Sequence, residues 1–387
     1  MGADFSADHP MRVACYAARA EKVRDAMRAA GHELLIAYGN GRHSFVGMNP
    51  AWYLTGFKQM GPHTAVVLPL EGDPFVIVTP RWDAERAQER SAVTQVIAVE
   101  PDQFLATVVD EIAKRQLGRA SMAVAGGQQQ PRELAEAWAG ALDKDDVADA
   151  DQIISDLSRV RDEWSLHCTR AAVAIAEQGY DWLLAHARPG MMEHHVAGEL
   201  EAYIRGLGAE DNFQLMSSSQ HNRSVHMPTN RVMAEGDILL GEITPAVEGE
   251  YIHICRTAVF GTPSALQLEK FAMLDEALRA GMKAAKPGVP VSEVVAAINA
   301  PISAAGYEEY TVPPYMRTRG HSMSLGSMDP EIATFSGHVL AKGVVFVMHP
   351  NQYIPDTGYF MCGEPVIITD DGAQPLTSRM GELGSIL

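Results

Sequence analysis

The chain has 387 residues, of which 47% are hydrophobic and 21% charged, and this composition is ordinary for globular proteins. Its length exceeds that of most single compact cores and suits two domains. The 31 basic and 49 acidic side chains give a formal charge of −18. That charge argues against a nucleic acid or a membrane as partner, because both need a basic surface.

Two further features bear on the compartment. The first residues lack the apolar core of an export signal, and no apolar run reaches the ~20 residues that span a bilayer. The cysteines show neither a paired nor a metal-ligand spacing: Cys15, Cys168, Cys255 and Cys362. Free thiols of this kind are typical of a reducing compartment, so the sequence predicts a cytoplasmic protein.

The first half of the chain alternates helical and strand patterns. Apolar side chains in residues 11–30 recur at helical spacing, and Gly31 is the expected stop of that helix. Short apolar strands separated by Gly, Pro and Asp turns then alternate with helices: strands in ELLIAYG and TAVVLPLEGDPFVIVTP and near 96–99 and 121–125, helices near 83–90 and 103–116. The alternation predicts a small α/β domain over residues 1–155 and a second domain over residues 156–387.

The second half contains an internal repeat. The segments beginning at Ala187 and Ala285 both read basic-Pro-Gly, then a few linking residues, then an amphipathic helix that ends at Gly. Two copies indicate a duplicated α+β unit, because a solenoid needs at least three. Candidate site residues follow each copy in turn: His226 and Glu242 after the first, His321 and His349 after the second. Two halves packed face to face would bring these side chains together between two sheets.

Motifs along nearly the whole chain resemble the pita-bread family of creatinase, prolidase and aminopeptidase P. They occur in the family's order: YLTGF, SVHMPTNRVMAEGDILLGEI, CRT, GHS, VFVMHPNQYIPDTG and EPVIIT. The resemblance implies an α+β protein, in which a small N-terminal α/β domain precedes a C-terminal pita-bread domain with an internal pseudo-twofold duplication. It also implies a homodimer that acts on a small-molecule substrate.

The metallopeptidases of this family bind two metal ions through two Asp, one His and two Glu. By the resemblance, the corresponding positions here hold, in chain order, Glu242, His253, His349 for the first Glu, and Gly363 followed by Glu364 for the second, while His321 keeps the family's histidine. A two-metal site needs several carboxylates to bridge the ions and offset four positive charges. Only one or two remain, which predicts the loss of the dinuclear centre.

This pattern resembles the metal-free branch of the family, which includes creatinase and ectoine hydrolase. It predicts a metal-independent hydrolase, without a cofactor, of a C–N bond (amide, cyclic amidine or guanidino) in a small, polar, nitrogen-rich substrate. His226 would activate water and protonate the leaving nitrogen. The other catalytic and binding candidates are Glu242 and Glu364 for the nitrogen groups, His321 and His349 for the reacting carbon, His253, and Phe57 and Lys58 near the partner's site.

Two alternatives stay open at this stage. The first is a mononuclear metal-dependent hydrolase or Xaa-Pro-type peptidase, in which one divalent ion binds Glu242, His253, His321 and His349. The second is a non-catalytic pita-bread module that binds a protein. The alternating stretch YIHIC allows His253 to face either the site or the core. His195 and Glu199 share one helix face, which is expected to be solvated.

Overall fold

The computed structural model describes residues 4–41, 47–141, 147–325 and 330–387. The chain forms two compact units, residues 1–164 with 324–327 and residues 165–323 with 328–387. Helices and sheets occur in both, which confirms the predicted α+β class. The predicted domain boundary at residue 155 stays a prediction. None of the helices in the described ranges combines the length and apolar character that crossing a bilayer requires.

The first unit contains a mixed six-stranded sheet with the strand order β4-β3-β2-β1-β5-β6. Its helices are α1 (Pro10–Ala30), α2 (Pro50–Thr55), α3 (Ala84–Arg90), α4 (Phe104–Lys114), α5 (Arg132–Ala141) and α6 (Asp151–Arg159). Its strands are β1 (Leu34–Gly39), β2 (Thr64–Pro69), β3 (Phe75–Val78), β4 (Gln95–Ala98), β5 (Met122–Ala125) and β6 (Ala148–Asp149). The helices and strands predicted for this half are confirmed, including the helix end at Gly31, whose φ is 78°.

Every residue of β1 is buried, which explains its continuous apolar sequence. Neighbouring side chains on a strand point to opposite faces. Leu35 and Ala37 accordingly pack into one hydrophobic cluster, and Leu34 and Ile36 into another. The sheet is therefore covered on both faces, as is usual where parallel strands are present.

Helix α7 (Glu163–His186) starts two residues before the second unit and continues into it. The unit contains three further long helices in the described ranges: α8 (Glu193–Gly206), α9 (Ala265–Ala284) and α10 (Val291–Ala304). Its strands are β7 (Asp211–Ser219), β8 (Ile238–Val247), β9 (Glu250–Tyr251), β10 (Ile254–Phe260), β11 (Gly320–Ser322), β12 (Val345–Met348), β13 (Gln352–Ile354), β14 (Gly358–Phe360), β15 (Glu364–Thr369), β16 (Gly372–Pro375) and β17 (Gly384–Ile386).

The predicted internal duplication is visible in this unit. Each half contains a helix pair followed by antiparallel strands, and the second helices of the two pairs, α8 and α10, are both 14 residues long. The glycines of the two Pro-Gly segments, Gly190 and Gly288, both adopt positive φ angles, 94° and 82°. The same local turn therefore introduces the second helix of each pair.

Two sheets of the second unit are joined by a backbone pair. One sheet has the order β17-β10-β8-β7 with β9 beside β8, and the other has the order β11-β12-β15-β16. Cys255 on β10 and Gly363 before β15 donate backbone N–H groups to each other's carbonyls, at 3.1 Å in both directions. Side chains that face inward near this pair come from both repeats.

The buried carboxylate of Glu193 connects α8 to the loop that carries His226. It accepts hydrogen bonds from the backbone N–H and hydroxyl of Ser218, at 2.7 and 2.8 Å, and of Thr229, at 2.9 and 2.7 Å. Burial raises the pKa of Glu193, but these four bonds outweigh it and hold the pKa below its usual value. The carboxylate thus fixes both ends of the loop.

We expect Glu193→Gln to lower the free energy of unfolding at pH 7 by about 1.5–3 kcal/mol, because the new amide NH₂ would face N–H and O–H donors. A folded-state pKa below the unfolded value makes this stabilisation complete above about pH 4.5, and it is lost as the pH falls further. Urea unfolding at pH 7 and pH 4 measures both effects. Glu199→Gln, on the exposed face of α8, is the control, and equal stability of the two variants would contradict the assignment.

Candidate functional site

Three histidines from distant parts of the second unit meet at one place. The ring centroids of His253, His321 and His349 lie 5.2 to 5.9 Å apart. One ring nitrogen of each lies within 4.8 Å of those of the other two. Such a triad of imidazoles is a donor set for a transition-metal ion.

Local backbone features bring two of these rings together. Gly320 precedes His321 with a φ of 133°, and a Cβ there would lie 2.1 Å from the carbonyl oxygen of Val347. Only glycine permits this close pairing of β11 with β12. His349 directly follows β12, whereas His253 lies in the irregular gap between β9 and β10.

The imidazoles are held in the neutral form. Burial lowers the pKa of all three, that of His253 well below its usual value and that of His349 to about 3, and the neighbouring rings add to the effect on these two. The Nδ1–H of His321 donates to the carbonyl of Ser322 at 3.0 Å, which leaves Nε2 with its lone pair. Ligand histidines commonly have such a carbonyl partner.

His253 differs from the other two in having no hydrogen bond at either ring nitrogen. Its side chain is 1% exposed, and both Nδ1 and Nε2 are buried without a partner among the described residues. Burying unpaired polar atoms costs free energy, so such atoms usually indicate a missing ligand or a functional role.

Glu242 places a carboxylate beside His253. Its Oε1 lies 3.7 Å from Nδ1 of His253, and its Oε2 lies 3.8 Å from Sγ of Cys255, both long contacts. Burial raises the pKa of this carboxyl to about 7. Arg256 on the neighbouring strand pairs with Glu364.

Glu364 points away from this cluster. Its carboxylate lies 2.9 Å from the guanidinium of Arg256, which is 4% exposed, and accepts hydrogen bonds from Thr377 Oγ1 and Gly381 N. The neighbouring Gly363 faces the cluster instead, because a Cβ there would lie 2.8 Å from Cβ of His349. Glu364 therefore braces the sheets, and these contacts do not support its expected catalytic role.

Arg319 is a positioning residue that sequence reasoning missed. Its guanidinium, 1% exposed, donates to Asn299 Oδ1, to the carbonyl of Asn351 and to Gln352 Oε1, at 2.7 to 3.0 Å. Its own carbonyl accepts the backbone N–H of His349. The buried guanidinium of Arg319 thus fixes the segment that follows β12. The one sequence signal for this role is that Arg319 precedes His321 by two residues.

The contacts of three further candidates do not include the three imidazoles. His226 is exposed on the loop after β7, where its Nδ1–H donates to the carbonyl of Met227, and its Nε2 has no hydrogen bond to the residues that the structure describes. Phe57 is wholly buried in the core of the first unit, so its side chain has no surface to offer a neighbouring chain. Lys58 is half-buried with Nζ 5.3 Å from the ring centroid of Trp52, and its role toward a partner stays a prediction.

The donor set fits one metal ion and does not fit two. Three neutral imidazoles with Glu242 beside them can hold a single divalent ion. A second ion would need bridging carboxylates, but the position that faces the cluster from the β15 side is Gly363, which has no side chain.

Sequence profiles identify both parts of the chain. Residues 167–370, more than half of the chain, match metallopeptidase family M24, and residues 19–160 match the creatinase/prolidase N-terminal domain. The chain belongs to metallopeptidase family M24. This result confirms the resemblance to the pita-bread family.

Similar proteins carry peptidase names. The chain is 24% identical over 336 residues to an Xaa-Pro dipeptidase of Pyrococcus furiosus, covering 86% of this chain and 92% of that one. It is 28% identical over 329 residues to the probable dipeptidase PepE of Mycobacterium tuberculosis, covering 83% and 84%. The crystal structure of a prolidase from Pyrococcus horikoshii superposes with a TM-score of 0.80 at 21% identity, covering 95% and 99%.

These findings correct the main functional expectation. A metal-independent, creatinase-like hydrolase of a non-peptide C–N bond is wrong for a member of a metallopeptidase family whose relatives are dipeptidases. The expectation of no cofactor is wrong for the same reason. The error was to treat lost carboxylates as a lost metal site, although imidazoles are also metal ligands.

We expect His253→Leu to abolish stoichiometric ion binding and yet to stabilise the metal-free protein by about 1–3 kcal/mol, because it removes two unpaired buried nitrogens. Inductively coupled plasma analysis after dialysis against zinc measures the first effect, and urea unfolding in chelator measures the second. His195→Ala, on the exposed face of α8, should change neither. A metal-free His253→Leu protein less stable than wild type would show that the ring has polar partners after all.

Glu364→Gln tests the bracing role. Removing one charge of a buried ion pair leaves Arg256 uncompensated, so we expect a loss of about 3–5 kcal/mol in the free energy of unfolding. Zinc binding per folded chain should be unchanged. Glu382→Gln, an exposed change in the same C-terminal segment, should be neutral. Wild-type stability combined with lost turnover would assign Glu364 to the chemistry instead.

Proposed function

We propose that this chain is a metal-dependent peptidase that cleaves short Xaa-Pro peptides, with one divalent ion held by His253, His321 and His349. The observation that carries the proposal is the buried, unpartnered imidazole of His253 within a triad of neutral imidazoles. The relatives named Xaa-Pro dipeptidase and the structural similarity to a prolidase support the substrate class.

An ion bound there would supply a Lewis acid that polarises the scissile amide carbonyl. Glu242 is the group of this chain placed to move protons beside it. Its carboxylate can take a proton at Oε1 or Oε2 from attacking water and return it to the leaving nitrogen. Its long contacts to His253 and Cys255 leave the carboxylate oxygens available for that exchange.

His226 lies on the loop that Glu193 fixes, beside β7. Its carbonyl accepts the N–H of Met216, and Met216 neighbours Leu215, the register partner of Glu242 on β8. An exposed imidazole with a free Nε2 at this place is suited to orient the substrate backbone by one hydrogen bond. We therefore assign His226 to positioning the substrate, and its proton-shuttle role stays a prediction.

Two expectations from the sequence accompany the proposal. Members of this family are commonly homodimers, and we expect a homodimer here with Lys58 on the chain's first unit near the partner. The cytoplasmic location expected from the free thiols is likewise a prediction.

We expect the purified protein loaded with zinc, cobalt or manganese to hydrolyse Ala-Pro, to lose turnover after chelation, and to recover it when the ion is restored. Glu242→Gln should lower kcat by about 10²–10⁴-fold, the usual weight of general acid–base catalysis, with a smaller change in KM. Its metal content should stay that of wild type, because the imidazoles hold the ion.

The matched control is Glu235→Gln, an exposed change just before β8, which should keep wild-type kinetics. Ala-Ala serves as the competing substrate. Full activity in the chelated protein would overturn the metal dependence, and cleavage of Ala-Ala at the rate of Ala-Pro would overturn the substrate class while leaving the metal dependence standing.

A further inference from the structure

Thr244 carries a buried hydroxyl on the strand that also holds Glu242. The residue is wholly buried, and its Oγ1 has no hydrogen-bond partner among the described residues. A hydroxyl that loses its bonds to water and gains none in the protein costs free energy, so such groups usually have a functional role. Glu242 and Thr244 are two residues apart on β8, and both side chains therefore project from the same face of the strand.

One continuous register runs from β8 to β9 and then to β10. The pairs on the two sides of the gap at His253 are Ala246–Tyr251 on the β9 side and Ile243–Ile254 on the β10 side. Counting inward from either pair places His253 opposite Thr244. Residues opposite each other on antiparallel strands point to the same face, with their Cβ atoms about 4.5–5.5 Å apart. Thr244 is therefore the direct cross-strand neighbour of His253.

Pro245 explains why the strand pairing is interrupted at this place. The N–H of Ile252 donates to the carbonyl of Pro245 at 3.3 Å, but proline has no N–H with which to return the bond. In antiparallel pairing, the residues next to a hydrogen-bonded pair approach more closely, with Cα atoms about 4.5 Å apart. Thr244 and His253 form a pair of this closer kind.

Two buried groups that lack partners thus face each other. Both ring nitrogens of His253, like the hydroxyl of Thr244, have no hydrogen bond within the described residues. A metal ion takes the lone pair of one nitrogen, so the other nitrogen carries the proton and needs an acceptor. His321 has a carbonyl as acceptor. Glu242 does not fill this role for His253, because its Oε1 lies 3.7 Å from Nδ1, beyond hydrogen-bond distance.

We propose that Thr244 is a positioning residue of the metal site: its Oγ1 accepts the N–H of His253 and so fixes the ring that binds the ion. The proposal rests on the metal-dependent function above and goes beyond it by assigning the group that orients this ligand. The hydrogen bond forms as the ion sets the plane of the imidazole. No proton is transferred, and Glu242 stays available for the proton exchange with water.

This role gives the hydroxyl opposite effects on the metal-free and the metal-bound protein. In the metal-free protein, a buried hydroxyl without a partner lowers stability. In the metal-bound protein, the same hydroxyl orients a ligand, and loss of such a partner typically costs 10–100-fold in metal affinity. A residue that only supports the fold would change stability and affinity in the same direction. The two measurements together therefore distinguish positioning from structural support.

Thr244→Val tests the proposal because it removes the hydroxyl and keeps the branched shape. We expect zinc affinity, measured by competition with a chromophoric chelator, to fall about 10–100-fold. The urea midpoint of the metal-free protein should rise, because an unpaired buried hydroxyl is gone. Thr244→Ser keeps the hydroxyl and should keep the affinity of wild type. Proton spectra of the zinc-loaded protein should show a slowly exchanging imidazole N–H signal that Thr244→Val loses.

The matched control is Thr64→Val on β2 of the first unit. The hydroxyl of Thr64 is equally buried and is also without a hydrogen bond in the part of the chain that the structure describes. This variant should raise the urea midpoint in the same way. Its zinc affinity and its imidazole N–H signals should be those of wild type, because Thr64 belongs to neither of the donor groups found in the described ranges.

The outcomes separate this proposal from the one on which it rests. Wild-type zinc affinity in Thr244→Val would overturn the role of Thr244 and leave the metal-dependent function intact. A Thr244→Val protein that loses stability together with affinity, or that fails to fold, would show a structural role and overturn the proposal as well. A wild-type chain that binds no zinc would overturn both.

Discussion

The backbone pair between Cys255 and Gly363 is the constraint on which the site depends. The two residues exchange both hydrogen bonds and join the sheet of β8 and β10 to the sheet of β12 and β15. Side chains alternate across this junction. Cys255 and Gly363 face the imidazoles, while Arg256 and Glu364 form a buried ion pair on the other side. The junction is reinforced by Arg256, whose guanidinium also donates to the carbonyl of Gly363 at 2.8 Å.

Charge is distributed so that the imidazoles stay neutral. The two buried arginines nearby have their partners outside the site. Arg256 pairs with Glu364, and Arg319 donates hydrogen bonds to carbonyl and amide oxygens. Burial lowers the pKa of Arg319 to about 10, still far above neutral pH, so the group remains a cation that disfavours a second positive charge on His349. Glu242 is the acidic group beside His253, and burial raises the pKa of its carboxyl. Neutral nitrogen donors beside one carboxyl are the electrostatics of a site for a single ion.

The replacement of carboxylates by imidazoles hides a metal site from a reading of the sequence alone. Counting acidic ligands tests only for a dinuclear centre, which needs bridging carboxylates. It does not test for a mononuclear centre, because that depends on whether His253, His321 and His349 converge. These three side chains converge only when the two repeats, which are far apart in sequence, pack together. Family membership and the triad together restore the metal-dependent alternative.

Local structure follows from the amino-acid sequence: the helices and strands of the first half, the turns at Gly31, Gly190 and Gly288, and the duplicated α+β unit. These follow from hydrophobic periodicity and from glycine's freedom to adopt positive φ, both of which act over a few residues. The arrangement of the site depends instead on long-range packing. Side chains on a strand alternate between its two faces, so a one-residue shift in register decides whether Gly363 or Glu364 faces inward. His253 lies in the gap between β9 and β10. No local signal fixes the direction of a side chain in such a gap, because the contacts that hold it come from the other half of the unit.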